Sequence, residues 1–254
     1  MPAPRPDFER SNGGVSPPFS YIMMKEVKNL PPRLAAIASM VPRGGALADV
    51  GTDHALLPLW LLRRGHIPFA VATDIHEAPL ERTRFSLGNV RGLRLVLCDG
   101  LDGVSADEVD TVVIAGLGGD NMADILSRAP WCREGRTVLL QPMSKAEVLR
   151  RALHNMGYRI ESERLVEDNR HVYPILLVRG GEDAPYTEAE YYTGRFAFLG
   201  TDPLFADHLE RQMRRIAAGL EGLEKAGREG EGLALRTILR EMDEMRRKMH
   251  GNGA

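Results

Sequence analysis

The chain has 254 residues, 43% hydrophobic and 27% charged, enough to bury a large core and unlike a disordered or fibrous composition. A formal net charge of −2 argues against binding nucleic acid over the whole surface while leaving room for a local basic patch. No apolar run approaches the roughly 20 residues of a membrane-spanning helix. Cys98 and Cys132 are too few for a disulfide framework or a cysteine-based zinc site. A cytoplasmic protein with reduced thiols and no metal is therefore expected.

Residues 1–28 are expected to be a flexible tail, because "MPAPRPDFERSNGGVSPPFS" is rich in Pro, Gly, Asn and Ser, lacks periodicity and has no apolar signal core. Met23 or Met24 offers an alternative start. The stretch 30–42 predicts a helix, with Leu34, Ile37 and Ala38 at helical spacing after a Pro-Pro entry and Pro42 as its stop. Short Val/Leu/Ile-rich runs follow at 46–50, 69–75, 93–99, 110–116 and 136–142, with helical stretches near 55–64, 78–89, 120–128 and 145–155 between them. That rhythm predicts an α/β fold, a doubly wound parallel sheet covered on both faces. Residues 158–180 hold two strand-like runs with no helix between, as in a terminal antiparallel hairpin. Such a hairpin closing a parallel nucleotide-binding sheet is the outline of the Rossmann-like methyltransferase fold.

From about 204 the pattern changes. Leu209, Met213, Ile216, Leu220 and Leu223 step by four and three, "GREGEG" interrupts at 227–232, and Leu235, Ile238, Met242, Met245 and Met249 resume. This predicts an antiparallel helical hairpin, a short coiled coil with arms of about 30 Å, projecting from the core. The expected division is 29–185 for the catalytic domain and 186–254 for the helical one.

Four consecutive predicted strands end in acidic or glycine residues: Asp49 and Gly51, Asp74 with Ile75, Asp99 with Gly100, and Ala115 with Gly116. They fall on the carboxyl edge of the sheet, where open α/β folds bind ligands, and Asp74 stands 23 residues after Gly51, where an acid takes ribose hydroxyls. Each aspartate alone could equally cap a turn or helix. Together they point to a nucleoside-bearing cofactor. The loop Gly51-Thr52-Asp53-His54 departs from G-x-G-x-x-G, and a carboxylate there would repel a pyrophosphate, which disfavours NAD. S-adenosylmethionine, with a sulfonium and an ammonium, suits it.

The segments "LPPRLAAIASMVPRGGALADVGTDHALLP", "CDGL", "IAGLGGDNMADIL", "LQPMSKAEVLRRAL" and "EDNRHVYPILLV", followed by a helical hairpin, resemble in order the bacterial tRNA (adenine-22-N1)-methyltransferase family. The resemblance implies a class I methyltransferase domain, S-adenosylmethionine as donor, a D-arm adenine of tRNA as substrate and a coiled coil that assists RNA binding. It also implies Gly51, Asp74, Asp99 and the Ala115–Gly116 segment at the cofactor, and Arg33 and Asp53 at the mouth. Leu56, Leu117 and Pro174 depart from it, where tyrosine, methionine and an acidic residue are usual.

Adenine N1 already carries an in-plane lone pair, so its methylation needs geometry rather than a base: N1 must lie about 3 to 3.5 Å from the methyl carbon and in line with sulfur. Asp53 is the candidate catalytic residue, accepting from the N6 amine and stabilising positive charge as it reaches the ring. Helix capping or cofactor binding is the competing role. His54, Gly118, Gln141 and Tyr173 are candidates for substrate contact, His54 or Tyr173 by stacking, although a space-filling helix-start histidine and a turn glutamine are the plainer readings. Arg211, Arg214 and Arg215, with Arg246, Arg247 and Lys248 on the returning arm, predict a basic patch at the hairpin base for tRNA phosphates; a solvated helical surface is the plainer alternative. Methylation of another RNA site or a small molecule, and a noncatalytic RNA-binding module, are the competing functions.

Overall fold

The computed structural model describes residues 29–52, 54–87 and 90–251. The expected tail, 1–28, and the candidate catalytic residue Asp53 lie outside them. Among the described residues no helix is long and apolar enough to cross a membrane.

Seven strands make one sheet in the order β3-β2-β1-β4-β5-β7-β6. The parallel set is β1 (Leu47–Val50), β2 (Ala70–Asp74), β3 (Leu93–Leu97), β4 (Thr111–Gly118) and β5 (Thr137–Ser144). The last two strands, β6 (Tyr158–Asp168) and β7 (His171–Gly180), form the expected hairpin, with β7 antiparallel to both neighbours. Its two-residue turn, Asn169 and Arg170, has φ of 50° and 66°, the left-handed geometry that matches strand twist.

Alternation along the central strands decides the layering. Val112, Ile114, Val138 and Leu140 face a core that includes Met122, Ile125, Leu149 and Leu153 of α4 (Gly119–Arg128) and α5 (Ala146–Asn155). The intervening Val113 and Leu139 face Ile37, Leu57 and Leu61 of α1 (Pro32–Met40) and α2 (Leu56–Arg63). Period-two side-chain direction thus gives three layers. Helix α3 (Glu77–Leu87) joins β2 to β3.

Two local departures matter for the site. The run expected to end as a loop at Gly116 continues as strand to Gly118, with register shifts against β5 between Ala115 and Gly118. Helix α2 begins at Leu56 after two successive left-handed residues, His54 (φ 57°) and Ala55 (φ 50°), a conformation uncommon for residues with a Cβ.

Beyond the sheet come α6 (Glu188–Thr193), α7 (Phe196–Leu199), α8 (Phe205–Lys225) and α9 (Leu233–Gly251). Ion pairs Arg246–Glu210 (3.3 Å) and Arg236–Glu224 (2.8 Å) register α8 and α9 as antiparallel. The pair does not simply project, as the heptad spacing implied. Phe205, Leu209 and Ile216 with Ile238, Met242 and Met245 share a core with Leu165 of β6, Ala189 and Leu199, so the basal half lies against the domain. The junction carries a fully buried ion pair: Arg150 of α5 reaches Glu163 of β6 at 2.7 Å and donates to the Tyr191 carbonyl of α6 at 2.8 Å. Breaking one partner of such a pair costs about 3 to 5 kcal/mol.

Candidate active site

Strand order reverses between β1 and β4, the crevice where open α/β sheets bind ligands. After Val50 the chain turns at Gly51 (φ 70°), and the amides of Gly51 and Thr52 both donate to the Thr73 carbonyl, at 2.9 and 3.0 Å. The Thr73 hydroxyl in turn donates to the Gly100 carbonyl at 2.8 Å, so one threonine ties three strand ends together. Gly100 (φ 59°) is required twice over, since a Cβ there would stand 2.9 Å from Ile125.

Between these ends and α4 opens a cleft of about 400 Å³, within the range of about 300 to 1,000 Å³ usual for small-molecule sites. Gly51, Asp74, Ile75, Asp99 and Gly100 line it, as the sequence predicts, joined by Leu117, Asn121 and Ile125. Asp74 Oδ1 accepts from the His76 amide at 2.8 Å, which fixes the carboxylate at the mouth. Ile75 is 60% exposed, an apolar face turned to the cleft rather than to the core. The Asp99 carboxylate is committed to Arg128 at 3.1 Å, and Arg128 also holds Asp102 (2.6 Å) and Asp124 (3.4 Å). Asp99 therefore stands at the expected place with its charge compensated.

A second lobe, about 290 Å³, continues on the other side of Gly51 and Leu117, which line both. Arg33, Asp49, Thr52, Leu56, Ala115 and Gly116 border it. Here the β4 irregularity acquires a purpose: Gly116 (φ 83°) turns its Cα toward Arg33, whose Nη1 would lie 3.3 Å from a Cβ at that position. Arg33 donates to Gln141 Oε1 at 2.9 Å and pairs with Asp168 at 3.5 Å. Ala115 and Gly116, expected in the cofactor set, border this lobe instead, and so does Asp49. Burial pushes its carboxyl up to about 7, against a 2.6 Å hydrogen bond from the Thr52 hydroxyl that pulls the other way.

Other expectations resolve differently. Gln141 is completely buried and holds Arg33, so it supports the lobe rather than meeting substrate. Tyr173 borders neither lobe; it stacks on His171 at 6.1 Å beside a separate recess. Gly118 precedes α4, close to Asp120 and Ser144. His54 sits at the strained entry to α2. The hairpin-base basic cluster exists, but carboxylates interleave it: Arg211 pairs with Asp207 (2.8 Å), Arg215 with Glu147 (3.1 Å), Arg246 with Glu210 and Asp243, and Arg247 with Asp243. Arg214 and Lys248 lie exposed on the same helices. Among the described residues no cluster of His, Cys, Asp and Glu could hold a metal ion.

A sheet of this order with a two-lobed cleft at the switch point is the frame of a methyltransferase, and the family model described as "Methyltransferase domain" matches residues 30–176. The chain belongs to that class. A curated relative, the tRNA (adenine(22)-N(1))-methyltransferase of Bacillus subtilis, is 31% identical over 168 residues, 64% of this chain and 70% of the relative. Within the class, the chain belongs to the tRNA (adenine(22)-N(1))-methyltransferase family. Among solved structures, a candidate tRNA (m1A22) methyltransferase of Streptococcus pneumoniae in complex with S-adenosyl-L-methionine superimposes with TM-score 0.72 at 28% identity, covering 83% of this chain and all of that one. The B. subtilis m1A22 tRNA methyltransferase shares the fold, with TM-score 0.78 at 23% identity over 85% of this chain and 98% of that one.

Proposed function

We propose that the protein transfers a methyl group from S-adenosylmethionine to N1 of the adenine at position 22 in the D-arm of tRNA, in the cytoplasm. The observation that carries this reading is the continuity of the two lobes through Gly51 and Leu117: one lobe has the acidic and apolar lining of a nucleoside site, the other a base-sized space beside a cation. The activity named for the B. subtilis relative and the ligand in the S. pneumoniae structure support it.

The residues present fit the cofactor. Asp74, with Oδ1 fixed by the His76 amide, offers Oδ2 to ribose hydroxyls. Ile75 and Ile125 give the adenine ring apolar surface, and Gly51, bare of a Cβ and bordering both lobes, lets the methionine portion pass. When bound, S-adenosylmethionine supplies an electrophilic methyl carbon.

The chain's own task is orientation, because N1 needs no deprotonation. The second lobe excludes water from the base with Leu56 and Leu117. Asp53 accepts a hydrogen bond from the exocyclic amine and stabilises charge arriving on the ring; His54 borders the base. Arg33 sits where positive charge accumulates, and its pairing with Asp168 offsets that repulsion.

The test is to incubate the protein with S-adenosylmethionine and unmodified tRNA, then digest to nucleosides. The expected product is 1-methyladenosine, lost when position 22 is not adenine. No methylated nucleoside, or methylation on N6, would overturn the assignment.

A further inference from the structure

A separate recess of about 200 Å³ opens on the same carboxyl edge of the sheet, between the ends of β5 and β7 and the first turns of α8. Two polar atoms of the residues lining it are buried without a partner: Nε2 of His208 and Oε1 of Gln212. They stand one helical turn apart on α8, hence on one face. His208 is 3% exposed, and its ring is hydrogen-bonded to the Thr193 backbone. Burial, with Arg150 nearby, pushes its pKa down to about 4, so the imidazole is neutral at pH 7. A neutral ring whose other nitrogen donates to a carbonyl presents Nε2 as a lone pair. Buried acceptors of this kind call for a donor from outside the described residues.

The rest of the recess is equally selective. Tyr173 and His171, stacked 25° from parallel, supply an aromatic wall. Lys145, Arg211 and Arg215 form a cationic rim, each already sharing a carboxylate, with Asp120, Asp207 and Glu147. An aromatic wall, two buried acceptors and a cationic rim are complementary to the ring face, exocyclic amine and phosphate of one nucleotide. The recess lies at β5 and β7 while the cleft lies at β1 and β4, a separation of about two strand spacings, or about 10 Å.

We propose that this recess takes a second, non-target nucleotide of the RNA substrate, one bearing an exocyclic amine whose hydrogens are accepted by His208 and Gln212. The proposal rests on the tRNA reading above. It gives Tyr173 a role at a neighbouring nucleotide instead of at the methylated base.

The test compares the parent with Gln212→Met and His208→Phe for S-adenosylmethionine affinity and for kcat and KM toward unmodified tRNA. Both variants should raise the tRNA KM by about fivefold to tenfold with kcat and cofactor affinity unchanged, the size of one or two lost hydrogen bonds. Because His208→Phe could disturb the core, Gln212→Met at a half-buried position carries the test if the former fails to fold. With transcripts in which nucleotides flanking the target are replaced in turn by analogues lacking the exocyclic amine, one replacement should raise the parent's KM equally and leave that of Gln212→Met without a further rise. Unchanged KM for a folded variant, as a merely water-filled recess would give, overturns the proposal, as does strict additivity at every flanking position. A parent that makes no 1-methyladenosine overturns the functional reading itself, and the recess proposal with it.

Discussion

Arg33 Nη1 donates to Gln141 Oε1 at 2.9 Å, joining the first helix to the fifth strand across 108 positions of sequence. Gln141 is held from its other side, since its amide donates to the Pro142 carbonyl at 3.0 Å and approaches the Met143 sulfur at 3.6 Å. The arginine is therefore presented to the second lobe in one orientation. Gln141→Leu should lower kcat/KM for tRNA by about tenfold through loss of this buried hydrogen bond, while S-adenosylmethionine affinity changes little. An equal loss in cofactor affinity, read by calorimetry, would reassign Gln141 to the cofactor lobe.

S-adenosylmethionine should bind and NAD should not. Asp74→Ala should weaken cofactor affinity by about 1.5 to 3 kcal/mol, the usual worth of hydrogen bonds to a charged group. Titration calorimetry decides it: an unaltered dissociation constant removes Asp74 from the ribose site.

Asp49 links the second lobe to pH. Its folded-state value, about 7, lies above the ordinary 3.8, so the folded chain holds this proton more tightly than the unfolded one. Its contribution to stability is complete below about pH 4 and is lost as pH rises to 7, by a few kcal/mol. Asp49→Asn should accordingly raise the melting temperature at pH 8 more than at pH 5. Parallel pH profiles for both proteins would contradict this.

Asp53→Ala should leave folding and cofactor affinity intact and depress the single-turnover rate, because a contact strengthened in the transition state appears in the chemical step. Rates equal to the parent at saturating tRNA and cofactor would reduce Asp53 to a cap of α2.

Neutralising Arg211, Arg214 and Arg215 together should weaken tRNA binding and flatten its salt dependence without altering cofactor affinity. Since Asp207 and Glu147 already share two of these charges, the salt slope should fall by fewer than three phosphate contacts. A slope that does not move would take the docking surface away from the hairpin base.

The strand ends were legible because glycine and aspartate punctuate a strongly alternating apolar pattern, and the cleft is assembled from those ends. The support of Arg33 was not, since Gln141 and Asp168 become its partners only when β5 and β6 enter the sheet. Glycines 116 and 118 read as loop, yet pairing with β5 keeps them in a strand by bulging it. The left-handed pair His54 and Ala55 carries none of the Gly or Asn chemistry that marks such turns. Charge spacing on α8 and α9 located the basic cluster but not its neutralisation, because Glu147 arrives from another element. His208 and Gln212 sat inside a heptad pattern that accounted only for their apolar neighbours.

The sealed Arg150–Glu163 pair fastens α5, β6 and the Tyr191 carbonyl at one point beneath the helical arm. Beside it, Phe205, Leu209 and Ile216 of the arm share a core with Leu165 of β6 and Leu199, and parting them would bare apolar surface, so packing holds the span from the arm's base to the β1/β4 crevice. A fixed span works as a caliper. With the RNA contact proposed for the base of the arm, a substrate would be gauged by whether its adenine and that contact can be met in the same pose, since two modest contacts met together outweigh either alone. A short oligonucleotide with the right sequence but the wrong reach should then engage one jaw only, and whole tRNA should be favoured over its fragments.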